Sequence, residues 1–148
     1  MNFYKRYPAM SPYVGKNFHD VGTPSLLLIG ESHYVAADSD QRRSPEVWYS
    51  GSSETISSTD LGWINTAAIL EGSRAEWFSN QAHSIWSNAF RVINEYGPGY
   101  SDYRYVADDI ALYNFFLRPA VDGDSLKYEL SREDVEIANE AFLYHSTD

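Results

Sequence analysis

The sequence predicts an α/β protein, a three-layer α/β/α arrangement around a small, mainly parallel sheet. Three observations carry that expectation. Ser25-Leu26-Leu27-Leu28-Ile29-Gly30 and Ile110-Ala111-Leu112-Tyr113-Asn114-Phe115-Phe116-Leu117 are short apolar runs, the pattern of strands buried on both faces. Between them, apolar residues recur three and four apart, the mark of amphipathic helices. Strands that alternate with helices favour a parallel sheet covered by those helices.

Composition narrows the classes. The chain has 148 residues, 43% hydrophobic and 16% aromatic, and no cysteine. That excludes disulfide scaffolds, Cys-type zinc sites, iron–sulfur clusters and thiol nucleophiles. So much apolar surface does not suit a disordered chain. No apolar run approaches the roughly 18–20 residues that span a bilayer. Met1-Asn2-Phe3-Tyr4-Lys5-Arg6 leads into no apolar signal segment. The expectation is a soluble cytoplasmic protein, one domain over residues 1–148. Net charge is −10 and has a direction: residues 102–148 carry 11 acidic and 4 basic residues. An acidic face repels phosphate backbones and attracts basic protein surfaces.

Residues 1–24 read as an irregular arm punctuated by Pro8, Pro12, Gly15, Gly22 and Pro24, with Tyr4, Tyr7, Tyr13 and Phe18 packing it down. The first strand then runs to Gly30, and Glu31-Ser32-His33-Tyr34 follows at its carboxyl end. Residues 35–58 read as a long Ser-rich loop around Val47-Trp48-Tyr49, a length that suggests function. Ser58, Thr59 or Asp60 caps a helix to about Leu70 with Leu61, Ile64, Ala67 and Ala68 on one side, closed by Gly72. From Ala75 to Tyr96, Phe78, Ala82, Ile85, Trp86, Ala89, Phe90 and Ile93 line a second helix, stopped by Gly97-Pro98-Gly99. Asp108-Asp109 open the second strand, and Arg118-Pro119 end it. Ser131 caps the last helix, with Asp134 completing a capping box and Val135, Ala138, Phe142 and Ile137 on the apolar side. A further strand is expected from residues 35–57 or 100–106.

In open α/β sheets, ligands bind at the carboxyl ends of the strands. Glu31, Ser32, His33 and Tyr34 fall there after the first strand, and Asn114 lies near the end of the second. An acid, an imidazole, a phenol and an amide can together hold a planar polar ligand. On spacing alone the same residues also suit a surface turn and a backbone-satisfying amide. His19, His33, His83 and His145 are scattered without metal spacing, and no cofactor is implied.

Leu27-Leu28-Ile29-Gly30-Glu31-Ser32-His33-Tyr34 resembles the first motif of the uracil-DNA glycosylase superfamily, a strand entering a loop that holds the hydrolytic water. Ile110–Leu117 resembles that superfamily's central strand, whose Asn reads the uracil edge. The resemblance implies a nucleobase-containing substrate. Glu31 or Ser32 would act on water, His33 and Tyr34 would bind the substrate with Tyr34 walling the pocket, and Asn114 would bond the base. Such enzymes flip the base and stabilise an oxocarbenium-like sugar. The family's late His- or Ser-containing loop has no counterpart before Tyr144-His145-Ser146-Thr147-Asp148, so a C-terminally shortened relative is expected.

A second expectation is a binding protein of another class. Tyr96, Tyr100, Tyr103 and Tyr105 cluster beside Asp102 and Arg104. With Asp108 and Asp109, residues Tyr100, Asp102 and Tyr103 would form a nucleic-acid-mimicking face, as in phage anti-CRISPR or anti-restriction inhibitors. Its partner would be a basic nucleic-acid-binding protein.

Overall fold

The two apolar runs do become strands, and both run further than their apolar residues. In the computed structural model, β2 spans Leu26–Val35 and β3 spans Ile110–Val121. A two-residue strand, β1 (Tyr13–Val14), lies antiparallel to β3, pairing Tyr13 with Leu112 and Val14 with Ala111. The sheet order is β1-β3-β2, within a mixed α/β fold. The structure describes residues 2–22, 26–36, 39, 44–76, 84–97, 99–121 and 130–146. Its helices are α1 (Asn2–Arg6), α2 (Pro45–Ser50), α3 (Ser58–Trp63), α4 (Thr66–Glu76), α5 (Ser84–Tyr96), α6 (Val106–Asp109) and α7 (Arg132–Ser146).

Several expectations change. The third strand comes from the N-terminal arm; residues 100–106 instead hold a 3-10 turn, Tyr103–Tyr105, and the start of α6. Gly30 does not end β2. The strand continues through Glu31-Ser32-His33-Tyr34, so the motif sits within a strand and not on a loop after it. Leu26 and Ile29 are exposed, so the run is not buried on both faces. The reason is position: β2 is an edge strand with β3 as its only strand neighbour among the described residues. Pro119 does not end β3 either. β1 pairs only as far as Ala111 and Leu112, so beyond them one edge of β3 has no described strand, which suits a residue lacking an N–H.

The long loop holds α2. Ser44 caps it by accepting the Val47 N–H at 3.1 Å, and Pro45 occupies the first turn, where its missing donor costs nothing. The helix expected over 58–70 is two helices. Ser57 caps α3 by accepting the Asp60 N–H at 3.1 Å, and the chain breaks at Ile64 before α4 begins. Ala67 and Ala68 are exposed, and α4 passes Gly72 to Glu76. On α5, Phe90 is buried and Trp86, Ala89 and Ile93 pack against the same cluster as expected. Phe78 and Ala82 lie outside the described residues.

The chain groups into two compact units. The first comprises Met1–Ser11, Ile29–Thr66 and Tyr113–Asp148. Its core joins Phe3, Tyr7 and Met10 to Val35, Trp48, Tyr49, Ile64, Leu117 and Ala141. Tyr7 stacks on Trp48 with ring centroids 4.5 Å apart and donates its hydroxyl to the Trp48 carbonyl at 2.6 Å. The Trp48 indole N–H donates to the Leu117 carbonyl at 3.0 Å. These two buried aromatics thus keep their polar ends satisfied. The second unit comprises Pro12–Leu28 and Ala67–Leu112, with Leu70, Phe90, Val106, Ala107 and Ile110 at its centre. Gly15 lies so close to α6 that a Cβ there would stand 2.4 Å from the Asp108 carbonyl oxygen.

Candidate functional site

Side chains of successive strand residues point to opposite faces. On β2 that places Glu31, His33 and Val35 on one face and Ser32 and Tyr34 on the other. The four motif residues therefore do not converge as a loop would allow. Glu31 is exposed, Tyr34 half-buried, and Ser32 and His33 buried. Asn114 is buried within β3, in the middle of the strand and not near its end.

His33 is held on two sides. Its Nε2 lies 3.1 Å from the Thr66 hydroxyl at the start of α4, and the ring also bonds the Trp63 backbone. Burial pushes its pKa down to about 4, the Trp63 contact opposing only in part. A neutral imidazole follows at pH 7. It is engaged by the protein itself, so it serves as a strut between β2 and the α3–α4 junction. Thr66, 33 residues away, carries no local signal that would pair it with His33. Ser32 differs: its Oγ is buried with no hydrogen-bond partner among the described residues.

The carboxylates expected to form a mimicking face are spent locally. The Asp102 carboxylate accepts from the Arg104 guanidinium, with Nε at 2.7 Å, and from the Arg104 N–H at 2.9 Å. Those bonds hold its pKa below the ordinary carboxylate value. Asp108 is buried, 3.0 Å from the Lys16 ammonium. Asp109 accepts from the Asn17 amide at 2.8 Å and bonds Tyr100. Burial first, and Asp109 second, push the Tyr100 phenol up to about 12. Asp108 and Asp109 end the short helix α6; they do not open the strand. Tyr96 and Tyr105 are exposed, Tyr100 packs against the second core, and the Tyr103 side chain lies outside the described residues.

A buried ionic hub at the start of α7 has no local signature in the sequence. Arg118 grips Asp134 with both ends of its fork, Nε–Oδ1 at 2.8 Å and Nη2–Oδ2 at 2.6 Å. Tyr49 donates its hydroxyl to Oδ1 at 2.8 Å, and the Ser131 N–H and hydroxyl donate to Oδ2 at 2.8 and 2.9 Å. The Asp134 N–H returns a bond to Ser131 Oγ at 3.1 Å, which closes the expected capping box. Burial raises the Asp134 pKa, but the Arg118, Ser131 and Tyr49 bonds outweigh it, and the net direction is down.

This anchoring turns α7 from its expected orientation. Asp134, Ala138 and Ala141 face inward, while Val135 is 41% and Phe142 38% exposed. Leu143 and Tyr144 are exposed too, beside Glu136 and Glu140. The signal was present as Asp134, Ala138 and Ala141 at helical spacing. A carboxylate is not read as an inward residue until its Arg partner is known.

Among the described residues, no cluster of His, Cys, Asp and Glu could hold a metal ion. Nor is any helix among them long and apolar enough to cross a membrane. Comparison of the chain with protein-family models, curated proteins and solved structures finds no match.

Proposed function

We propose that this protein is an acidic binding module for the basic surface of a nucleic-acid-processing protein. The observation that carries this reading is the placement of unburied acid. Asp102, Asp108 and Asp109 are engaged close to home and partly or fully buried, whereas on the solvent side of α7 Glu140 stands exposed beside Glu136, an exposed carboxylate that Arg132 holds. The binding face therefore moves from residues 100–109 to α7. The charge of the whole chain, −10, steers a basic partner in and repels nucleic acid. The test is displacement: labelled duplex DNA on a basic DNA-binding protein, challenged with this protein. Release is expected, and it should fade as ionic strength rises from about 0.1 to 1 M, where the Debye length shrinks from about 10 to 3 Å. No release from any of several basic proteins at low salt refutes the reading.

One observation favours a second reading, a shortened uracil-DNA-glycosylase-like three-layer domain that binds a nucleobase. Ser32 Oγ is a buried hydroxyl in want of a partner, on the strand beside the one that holds Asn114. Glu31 or Ser32 would then handle water, and Asn114 the base. Release of uracil from single-stranded DNA, abolished by Asn114→Ala, supports it. No release at high protein concentration removes it.

A further inference from the structure

We infer that the outer face of α7 docks a basic amphipathic helix of another protein. The inference rests on the acidic-module reading and adds the shape and chemistry of the partner. A helix of 15 residues is about 22 Å long, room for some four turns of contact. Its inner side is fixed by Asp134, Ala138 and Ala141, all fully buried. The outer side is therefore defined. Val135, Phe142 and Leu143 fall at positions i, i+7 and i+8, a stripe along one face. Leu143 is 62% exposed. Phe142 leans on Phe115, with ring centroids 6.4 Å apart, which firms the stripe at its C-terminal end.

Single exposed apolar residues need no explanation, but an aligned group on one helix marks a contact surface. The charge beside the stripe selects the occupant. Glu136 and Glu140 flank it, and Arg132, the cation of this helix, is bonded to Glu136 at 2.6 Å. A nucleic acid would meet carboxylates. A second copy would bring one acidic face against another. A flexible polycation would satisfy the acids and leave Val135 and Leu143 in water. A helix with apolar residues three and four apart and Lys or Arg on the flanks satisfies both, laying its apolar stripe on this one and its cations beside the glutamates.

The experiment uses the full chain, 15N-labelled, titrated at low salt with two synthetic peptides of about 18 residues, a length that sustains a helix. One places Leu and Lys at amphipathic spacing; the other has the same composition scrambled. The expected result is saturable binding of the first alone, with amide shifts concentrated on residues 132–146. Leu143→Gln should weaken it at least tenfold, about the loss of one buried apolar side chain. Val92→Gln, on the exposed side of α5, should leave affinity unchanged. Equal binding of both peptides, or indifference to Leu143→Gln, overturns the docking helix and leaves the acidic-module reading intact. Failure of both peptides to bind overturns the two together. Self-association of the free chain that Leu143→Gln abolishes also overturns it, since a second copy is then the occupant.

Discussion

Lowering the pH should strip stability from this protein through His33. The folded imidazole is held near pKa 4 by burial, while in the unfolded chain it titrates near 6.5. The depressed folded value means that the unfolded chain takes up the proton first. Stability from this residue is complete above about pH 6.5, declines as pH falls through the interval, and levels off below about 4. The full interval corresponds to about 3 kcal/mol, of which about 2 kcal/mol is gone at pH 5. Against a total stability of about 5–15 kcal/mol that is a large fraction. Urea midpoints measured from pH 8 to pH 4.5 should fall accordingly. His33→Gln can still bond Thr66 and lacks the titration, so its profile should be flatter by about one proton. The imidazole can also be followed directly by NMR in a chain of 16.8 kDa. A folded-state His33 titrating at 6 or above would rule this linkage out, as would a variant profile parallel to wild type.

Further outcomes are expected at Asp134, Trp48 and two glycines. Asp134→Asn removes the carboxylate that Arg118 grips with both ends of its fork and should cost about 3–5 kcal/mol in urea unfolding, whereas Arg118→Met combined with Asp134→Leu should recover much of it. In wild type the depressed Asp134 pKa has its own sign: its stabilisation is present above the ordinary Asp range and is lost as acid carries pH down through the lowered folded value, visible as acid unfolding that Asp134→Asn does not share. Trp48→Ala removes a fully buried indole and its bond to Leu117, and should lower stability by about 3–5 kcal/mol by thermal or urea melts. Gly15→Ala forces a methyl onto the Asp108 carbonyl and should destabilise by about 1–3 kcal/mol, with loss of amide protection at Gly15; Gly62→Ala, in a helix with open space at that Cβ, should instead gain about 0.5–1 kcal/mol.

Much of the local structure was legible because its causes are local. The Ser131–Asp134 box, the inner face of α5 around Phe90, and the apolar centres of β2 and β3 all follow from residues a few positions apart. What was not legible depends on distant partners. Apolar content says that Leu26 and Ile29 favour burial; it does not say whether a strand has neighbours on both edges. Gly30 and Pro119 look like stops because their usual effects are local, yet an edge position removes the penalty. Asp108 and Asp109 look like a solvated pair until Lys16 and Asn17 return from the N-terminal arm. The motif Glu31–Tyr34 has a loop's chemistry in sequence, and only the continuation of β2 divides its side chains between two faces.

The division into two units has a consequence for biogenesis. The backbone passes from one to the other after Ser11, Leu28, Thr66 and Leu112, so neither is an uninterrupted stretch of gene. Tyr7 and Trp48 are made well before Leu117 and Ala141, which complete their cluster. Those aromatics must therefore wait, unshielded, until the later residues arrive, and contacts this distant in sequence close slowly. A chaperone holding the segment from Phe3 to Tyr49 would be guarding the core of the first unit.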